Sequence, residues 1–283
     1  MTISAELIAV RQAAAGPAAA LAPPVAGQHG SRPRLRRIPG PRLDDRVLTA
    51  GPTSNAASRT AGALLRRAGA LLAALHQRRC PVPTSAAGLG YPWSSVQIQT
   101  WLGLSSGQRR LAAQFAADPQ LCHRAQRLAD GLAEGRHWLH GDARADNICV
   151  TSDGLPLLID WEFTGTGRPE RDLGTLTASL IAIAVTSTCV TNGDPAAARA
   201  ELRSGIAWAR RLVSAVTGGY RQDQPIDLDP ALLAGAAGLA LITTAWARCA
   251  QLSLDRRNQA LVLIGTGLVD HPERWRLFDD DGC

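Results

Sequence analysis

The chain has 283 residues and no lysine; all 30 of its basic side chains are arginine. With abundant alanine, this bias fits a GC-rich coding sequence, and it leaves guanidinium as the basic group available for contacts to anions. Aromatic residues are also scarce, at 4% of the chain, and the first of them is Tyr91. Six arginines lie between Arg32 and Arg46 with no aromatic among them, so a stacking platform for single-stranded nucleic acid is missing. That cluster reads as a solvated basic tail, and no nucleic-acid partner is expected. The six cysteines (Cys80, Cys122, Cys149, Cys189, Cys249, Cys283) contain no C-x-x-C pair. Their scatter fits neither a zinc site nor a compact disulfide framework. A reducing, cytoplasmic setting is the expectation, since the N-terminus has an early Glu6 and no basic segment of signal-peptide type.

What is present is ordinary for a globular protein: 46% hydrophobic residues, 19% charged and a formal net charge of +6, which suits an anionic ligand such as a nucleotide. Two uncharged stretches, 173–190 and 231–247, approach membrane-spanning length. They are diluted with Thr, Ser, Gly and Ala, so they read as buried helices and no membrane partner is expected.

Along the chain, residues 1–58 read as a reduced or partly disordered N-terminal region. They hold seven prolines (17, 23, 24, 33, 39, 41 and 52) and few β-branched residues, so little regular strand is expected, with a helix near Ala5–Ala15. Residues 59–283 read as the main body. Leu64, Leu65, Ala68, Leu71, Leu72 and Leu75 recur at helical spacing up to His76. Loop and short extended pieces are expected over 81–104. Ser105 or Ser106 caps a helix to about Ala117, Asp118-Pro119 breaks it, and a second helix carries Leu121, Ala125, Leu128 and Leu132 on one face. The period then changes. Ile148–Val150 and Leu155–Ile159 are short strands joined by Ser152-Asp153-Gly154, a hairpin, with Trp138-Leu139 leading in. Four helices should follow, over about 172–189, 195–216, 229–252 and 256–268.

The hairpin ends carry the chemistry. His140-Gly141-Asp142-Ala143-Arg144-Ala145-Asp146-Asn147 precedes the first strand, and Asp160-Trp161-Glu162 follows the second. A tight hairpin returns its ends to neighbouring positions, so Asn147 and Asp160 should lie side by side with Asp142 facing the same space. An amide oxygen and a carboxylate converging there suit magnesium, a hard cation that shares its oxygen ligands with substrate phosphates. A second carboxylate nearby can orient a hydroxyl and accept its proton.

These residues resemble the catalytic core of the aminoglycoside phosphotransferase and choline kinase-like family, whose pattern is H-G-D-x-x-x-x-N followed by a turn, apolar residues and Asp. Leu71–His76 is similar to the LA-x-LH helix that precedes this core, and Gly167–Leu173 to the G-x-P-x-x-D-L segment that follows it. The resemblance implies an α+β, protein-kinase-like fold: a mostly helical C-terminal lobe with a catalytic β-hairpin and a reduced N-terminal lobe. It implies Asp142 as catalytic base, Asn147 and Asp160 as magnesium and ATP-phosphate ligands, and His140 and Asp172 as structural anchors. Arg144 stands where a positive charge would meet the γ-phosphate. His76 reads as a core histidine bonded to a backbone carbonyl, Trp161 and Phe163 as core, Glu162 as a candidate substrate contact, and Arg168 and Arg171 as surface charges or partners of Asp172.

The implied activity is ATP- and Mg-dependent phosphorylation of a hydroxyl, on an aminoglycoside-type small molecule or on a peptide Ser/Thr. The family clamps ATP with a lysine and a strand pair over the phosphates. This chain has no lysine, and Gly27, Gly30 and Gly40 stand apart from one another. An arginine of the 32–46 cluster or a partner protein would have to complete the nucleotide site. The alternative is a pseudokinase that keeps the fold as a scaffold. Acidic residues for a cationic acceptor are sparse after Asp172 (Glu201, Asp223, Asp227, Asp229).

Overall fold

A computed structural model describes residues 5–14, 21–22, 25–29, 32–35, 40–52, 56–82, 93, 98–188, 195–222, 226–251 and 254–274. Cys189, Cys283, Tyr91 and Asp223 lie outside these residues, as does most of the expected loop 81–104.

The amino-terminal part holds α1 (Ala5–Ala14), the helix expected there. It also holds strands β1 (Val25–His29) and β2 (Arg32–Leu35), paired antiparallel from Val25↔Leu35 to His29↔Arg32. The expectation of little strand is therefore corrected. In the sequence a Gly-Ser dipeptide separates the two runs, a hairpin signal. Pro33 masks the signal. Lacking an N–H, proline disfavours a central strand but is tolerated in a two-stranded sheet, where both strands are edges.

Next come α2 (Leu43–Ala50) and α3 (Ala56–His76), the latter burying Leu64, Leu65, Ala68, Leu71, Leu72 and Leu75 as its periodicity requires. A short helix α4 (Ile98–Gly103) occupies part of the segment expected as loop. In α5 (Ser106–Ala116) the Ser105 hydroxyl accepts the Gln108 amide at 3.1 Å and the Gln108 side chain returns to the Ser105 amide, a reciprocal cap. Asp118 caps α6 (Pro119–Ala133), whose Pro119 stands in the first turn, where its missing N–H costs nothing.

Strand β3 (His137–Leu139) leads to a short 3₁₀ turn (Ala145–Asn147). The hairpin of β4 (Ile148–Val150) and β5 (Pro156–Leu158) follows in the register Ile148↔Leu158. Strand β6 (Gly165–Gly167) then pairs with β3, a third two-stranded sheet among the described residues that the glycine-rich sequence did not announce. The hairpin is flanked on both sides. The Val150 amide donates to the Pro41 carbonyl at 3.0 Å, and the Leu158 amide donates to the Leu21 carbonyl at 2.8 Å.

The body closes with α7 (Glu170–Thr188), α8 (Pro195–Gln222), α9 (Pro230–Gln251) and α10 (Arg256–Asp270). Helix α7 lies against both α8 and α9, α9 against α10, and α3 against α8. By length and composition α9 is the one helix among the described residues that could cross a membrane, and its inner faces are buried in this bundle. Helix α8 runs six residues beyond the expected end near 216, straight through Gly218-Gly219. Here glycine serves close approach: a Cβ on Gly219 would strike the Arg66 carbonyl oxygen, and one on Gly69 would strike that of Val216. The two helices therefore meet backbone to backbone, which is the helix-packing use of small residues rather than a stop signal. The architecture is the α+β arrangement expected: a helical lobe, a small hairpin and, among the described residues, a reduced amino-terminal part.

Candidate active site

The site sits on a bed of tryptophan. Trp138 and Trp161 are fully buried with ring centroids 5.6 Å apart, and their indole N–H groups donate to Thr164 Oγ1 and the Leu158 carbonyl, each at 2.9 Å. Rings of this size bury on the order of 150–250 Å², a gross gain of roughly 4–6 kcal/mol each. Trp161 is thus a core residue as expected. Phe163 is not, being 40% exposed, and Glu162 is exposed beside it.

His140 lies edge-on to Trp161 at 4.8 Å, completely buried. Its Nε2 meets the Ile159 carbonyl at 2.8 Å and its Nδ1 faces the Asp142 amide at 3.3 Å. A carbonyl only accepts and an amide only donates, so the ring is neutral with its proton on Nε2. Burial lowers its pKa, which agrees, although Asp172 and Asp142 pull the other way. The histidine therefore joins the loop before β4 to the segment after β5.

Gly141 takes φ +89°, a left-handed conformation, and a Cβ there would collide with the Phe163 carbonyl. The sharp reversal points the His140 and Gly141 amides at one group, Asp172. Its Oδ2 accepts the His140 amide at 2.7 Å and its Oδ1 the Gly141 amide at 2.9 Å. His76 Nε2 reaches Oδ2 at 3.2 Å. Burial alone would raise the Asp172 pKa; His76, His140 and the Gly141 amide outweigh it, and the net shift is downward. The roles expected of His140 and Asp172 as anchors thus have concrete partners. His76 is buried as expected, but it bonds side chains rather than a backbone carbonyl: Asp172 on one nitrogen and the Tyr220 hydroxyl, at 2.8 Å, on the other.

Asp142 follows this anchored turn. The Asn147 amide nitrogen donates to its carbonyl at 3.0 Å and to its Oδ2 at 2.9 Å, fixing the carboxylate across the loop. Burial raises the Asp142 pKa, more than Arg144 and His140 lower it. Arg144 is half-exposed and places Nε 3.4 Å from both Asp142 Oδ1 and Asp146 Oδ1. The Ile159 amide donates to the Asn147 carbonyl at 3.0 Å, so Asn147 stands directly across from the residue before Asp160. Asp160 itself is exposed and adopts φ +63°, the only non-glycine residue with positive φ among those described. Such backbone conformations in non-glycine residues cluster at functional sites. The structure therefore brings Asp142, Arg144 and Asn147 together next to the anchors His140 and Asp172, with the Asp160 backbone one residue beyond the Ile159–Asn147 bond.

Some contacts had no signature in the sequence. The Ala145 amide donates to Ser179 Oγ on α7 at 3.1 Å, and the Arg42 guanidinium donates to the Asp146 carbonyl at 2.9 Å. Arg42 is thus docked on the loop, not part of a solvated tail. Arg171 is buried against the Gly141 carbonyl rather than on the surface, while Arg168 pairs with buried Glu170 at 3.2 Å. Asp229 caps α9 through the amides of Ala231 and Leu232. A cavity of about 360 Å³, lined by Arg59, Leu65, Trp208 and Arg211 among others, contains none of the site residues.

Among the described residues no three His, Cys, Asp or Glu side chains gather into a metal cage. The oxygen donors available are the Asp160 carboxylate and the Asn147 amide oxygen, the latter's nitrogen being committed to Asp142. Two such donors fit magnesium, which usually takes one or two carboxylates and completes its shell with water and substrate phosphates.

The fold is of the protein-kinase-like type, with the candidate residues on and beside its hairpin. The chain belongs to the phosphotransferase enzyme family (APH), whose model matches residues 3–214. Viomycin phosphotransferase of Streptomyces vinaceus is 30% identical over 152 residues, 51% of this chain and 49% of that protein; the match thus spans about half of its relative. A glucosamine kinase structure shares the fold with a TM-score of 0.50 at 19% identity, over 87% of this chain and 64% of that one. A choline/ethanolamine kinase family protein from Mesorhizobium loti aligns with a TM-score of 0.49 at 16% identity, over 96% of this chain and 82% of its own.

Proposed function

We propose that this chain is an ATP- and magnesium-dependent phosphotransferase that phosphorylates a hydroxyl group of an aminoglycoside-type small molecule. The observation that carries the reading is the placement of Asp142. Its carboxylate is fixed by Asn147 at 2.9 Å, and Asp160 stands at the other end of the same hairpin in a left-handed conformation. Asp142 takes the acceptor's proton as its oxygen bonds the γ-phosphorus, and the bond to the ADP oxygen breaks with its electron pair. The raised pKa of Asp142 makes it a better proton acceptor than an ordinary aspartate. Asn147 and Asp160 would hold magnesium, which when bound neutralises phosphate charge. Arg144, now resting between Asp142 and Asp146, supplies positive charge to the transferring group. The name of the relative makes viomycin the first acceptor to test. The four free thiols among the described residues fit a cytoplasmic setting.

A second reading is favoured by one observation: the chain has no lysine to clamp the ATP phosphates. On that reading it is a scaffold without turnover, or it gains its nucleotide clamp from a partner protein. Thermal stability with ATP, with and without magnesium, tests ligand binding. A ligand at a hundred times its Kd adds about 2.7 kcal/mol. The enzyme reading expects stabilisation that needs magnesium and disappears in Asp160→Ala; no stabilisation by ATP–magnesium would count against it.

A further inference from the structure

The buried contact between Tyr220 and His76 is used by none of the roles assigned above. Tyr220 lies in the last turns of α8, fully buried, its ring tilted 55° against the His76 ring with centroids 5.6 Å apart. It reaches that place because Gly69 and Gly219 let α3 and α8 approach backbone to backbone. A phenylalanine would fill the same apolar volume. A buried hydroxyl costs free energy unless it is hydrogen-bonded, and here its recorded partner is His76 Nδ1 at 2.8 Å.

The bonding pattern has a direction. Asp172 lies below its usual pKa and already accepts two backbone amides, so as a carboxylate it accepts a hydrogen bond from His76 Nε2–H. The Tyr220 hydroxyl can then donate to Nδ1, which in the Nε2–H tautomer is an acceptor. Burial, followed by Glu170 and Asp172, raises the Tyr220 pKa far above its usual value, so the phenol keeps its proton. The series runs Tyr220 O–H to His76 Nδ1, His76 Nε2–H to Asp172 Oδ2, and Asp172 to the His140 and Gly141 amides.

We propose that Tyr220 is a positioning residue of the phosphotransfer site, its hydroxyl fixing the His76 tautomer that orients Asp172 and so the turn that presents Asp142. The mechanistic half of this inference rests on Asp142 being the base; the tautomer and the amide contacts do not. The hydroxyl makes α8 an element that sets loop geometry as well as a packing partner. Without it, His76 Nδ1 is a buried acceptor lacking a donor. The ring can then exchange tautomers or rotate, and Asp172 loses one of its three restraints.

The test is Tyr220→Phe in the full chain, with Val216→Ala as a control. Val216 is fully buried on α8 one turn away, so its truncation loosens the α3–α8 contact without touching the hydroxyl. Nitrogen NMR of the histidine rings reads the tautomer, and amide hydrogen exchange reads the His140 and Gly141 contacts. In Tyr220→Phe the His76 signals should leave the single Nε2–H pattern, and exchange at His140 and Gly141 should rise about tenfold, equivalent to 1.4 kcal/mol of local stability. Val216→Ala should change neither. In a transfer assay kcat should fall about tenfold with KM for ATP within about twofold, a loss at the reacting geometry and not in nucleotide binding. Unchanged ring signals and unchanged amide exchange in Tyr220→Phe would overturn the proposal. If the wild type transfers no phosphate, the enzyme reading fails while the NMR arms still decide the Tyr220 relay.

Discussion

The Asp172 carboxylate accepts the His140 amide at 2.7 Å across 32 residues of sequence, tying the first turn of α7 to the loop that carries Asp142. Because the same carboxylate takes the Gly141 amide and His76, one buried side chain holds the α3 end, the α7 start and the loop together.

Removing that group should therefore unfold more than it disables. Asp172→Ala leaves two buried backbone amides and a histidine nitrogen without their acceptor. The expected loss is about 2–6 kcal/mol, roughly 1–3 kcal/mol for each of the two buried amides left unsatisfied. Urea unfolding by circular dichroism measures it; a midpoint within error of wild type would show that the contacts carry no net stability.

At the reacting face the effects should be kinetic. Asp142→Asn preserves shape and removes the proposed base, and turnover should fall about a hundredfold to ten-thousandfold with stability nearly unchanged. Arg144→Ala should cost at least about tenfold in kcat, or 1.4 kcal/mol. Steady-state kinetics on the two variants checks both, and a change within about twofold for Arg144→Ala removes it from the mechanism.

The pKa directions set the response to acid. His140 is lowered from 6.5 by burial, so the unfolded chain binds its proton first and stability falls as pH drops below about 6.5. Asp172 is net lowered from 3.8, so its contribution is present above that value and is lost as pH falls below it. Asp142, raised by burial, acts in the opposite sense and favours the native state as pH drops toward 3.8. Unfolding free energies from pH 8 to 3 should thus decline in two stages, and His140→Gln should flatten the upper one.

Two glycines of α3 should respond oppositely to alanine. Gly69→Ala drives a Cβ into the Val216 carbonyl and should cost about 1–3 kcal/mol. Gly62, on the same helix with nothing within 4 Å of its would-be Cβ, should gain about 0.5–1 kcal/mol from the better helix former. Thermal melts of the pair decide it.

Much of this was legible in the sequence because local chemistry dictated it. Leu64 to Leu75 at helical spacing, Ser105 and Asp118 before their helices, and the Asp-Gly turn between apolar triplets each force an element with few alternatives. The closeness of Asn147 to the residue before Asp160 followed from the hairpin's geometry. What was missed depends on distant partners. Gly218-Gly219 reads as a helix end until Arg66 is seen against it. Strand β6 is Gly-Thr-Gly, one strand-favouring threonine between two glycines, and exists through pairing with β3. Tyr220 and Ser179 lie in helices with nothing in their neighbourhood to mark a bond to His76 or to the Ala145 amide.

The central claim is phosphoryl transfer from this site, and the direct measurement is movement of γ-labelled phosphate from ATP to an acceptor panel headed by viomycin and including aminoglycosides. Transfer to a hydroxyl acceptor that requires magnesium and is lost in Asp142→Asn, while that variant still gains stability from ATP–magnesium, is the predicted result. Stabilisation of the wild type by ATP–magnesium with no labelled acceptor anywhere in the panel, or equal transfer by wild type and Asp142→Asn, would contradict it.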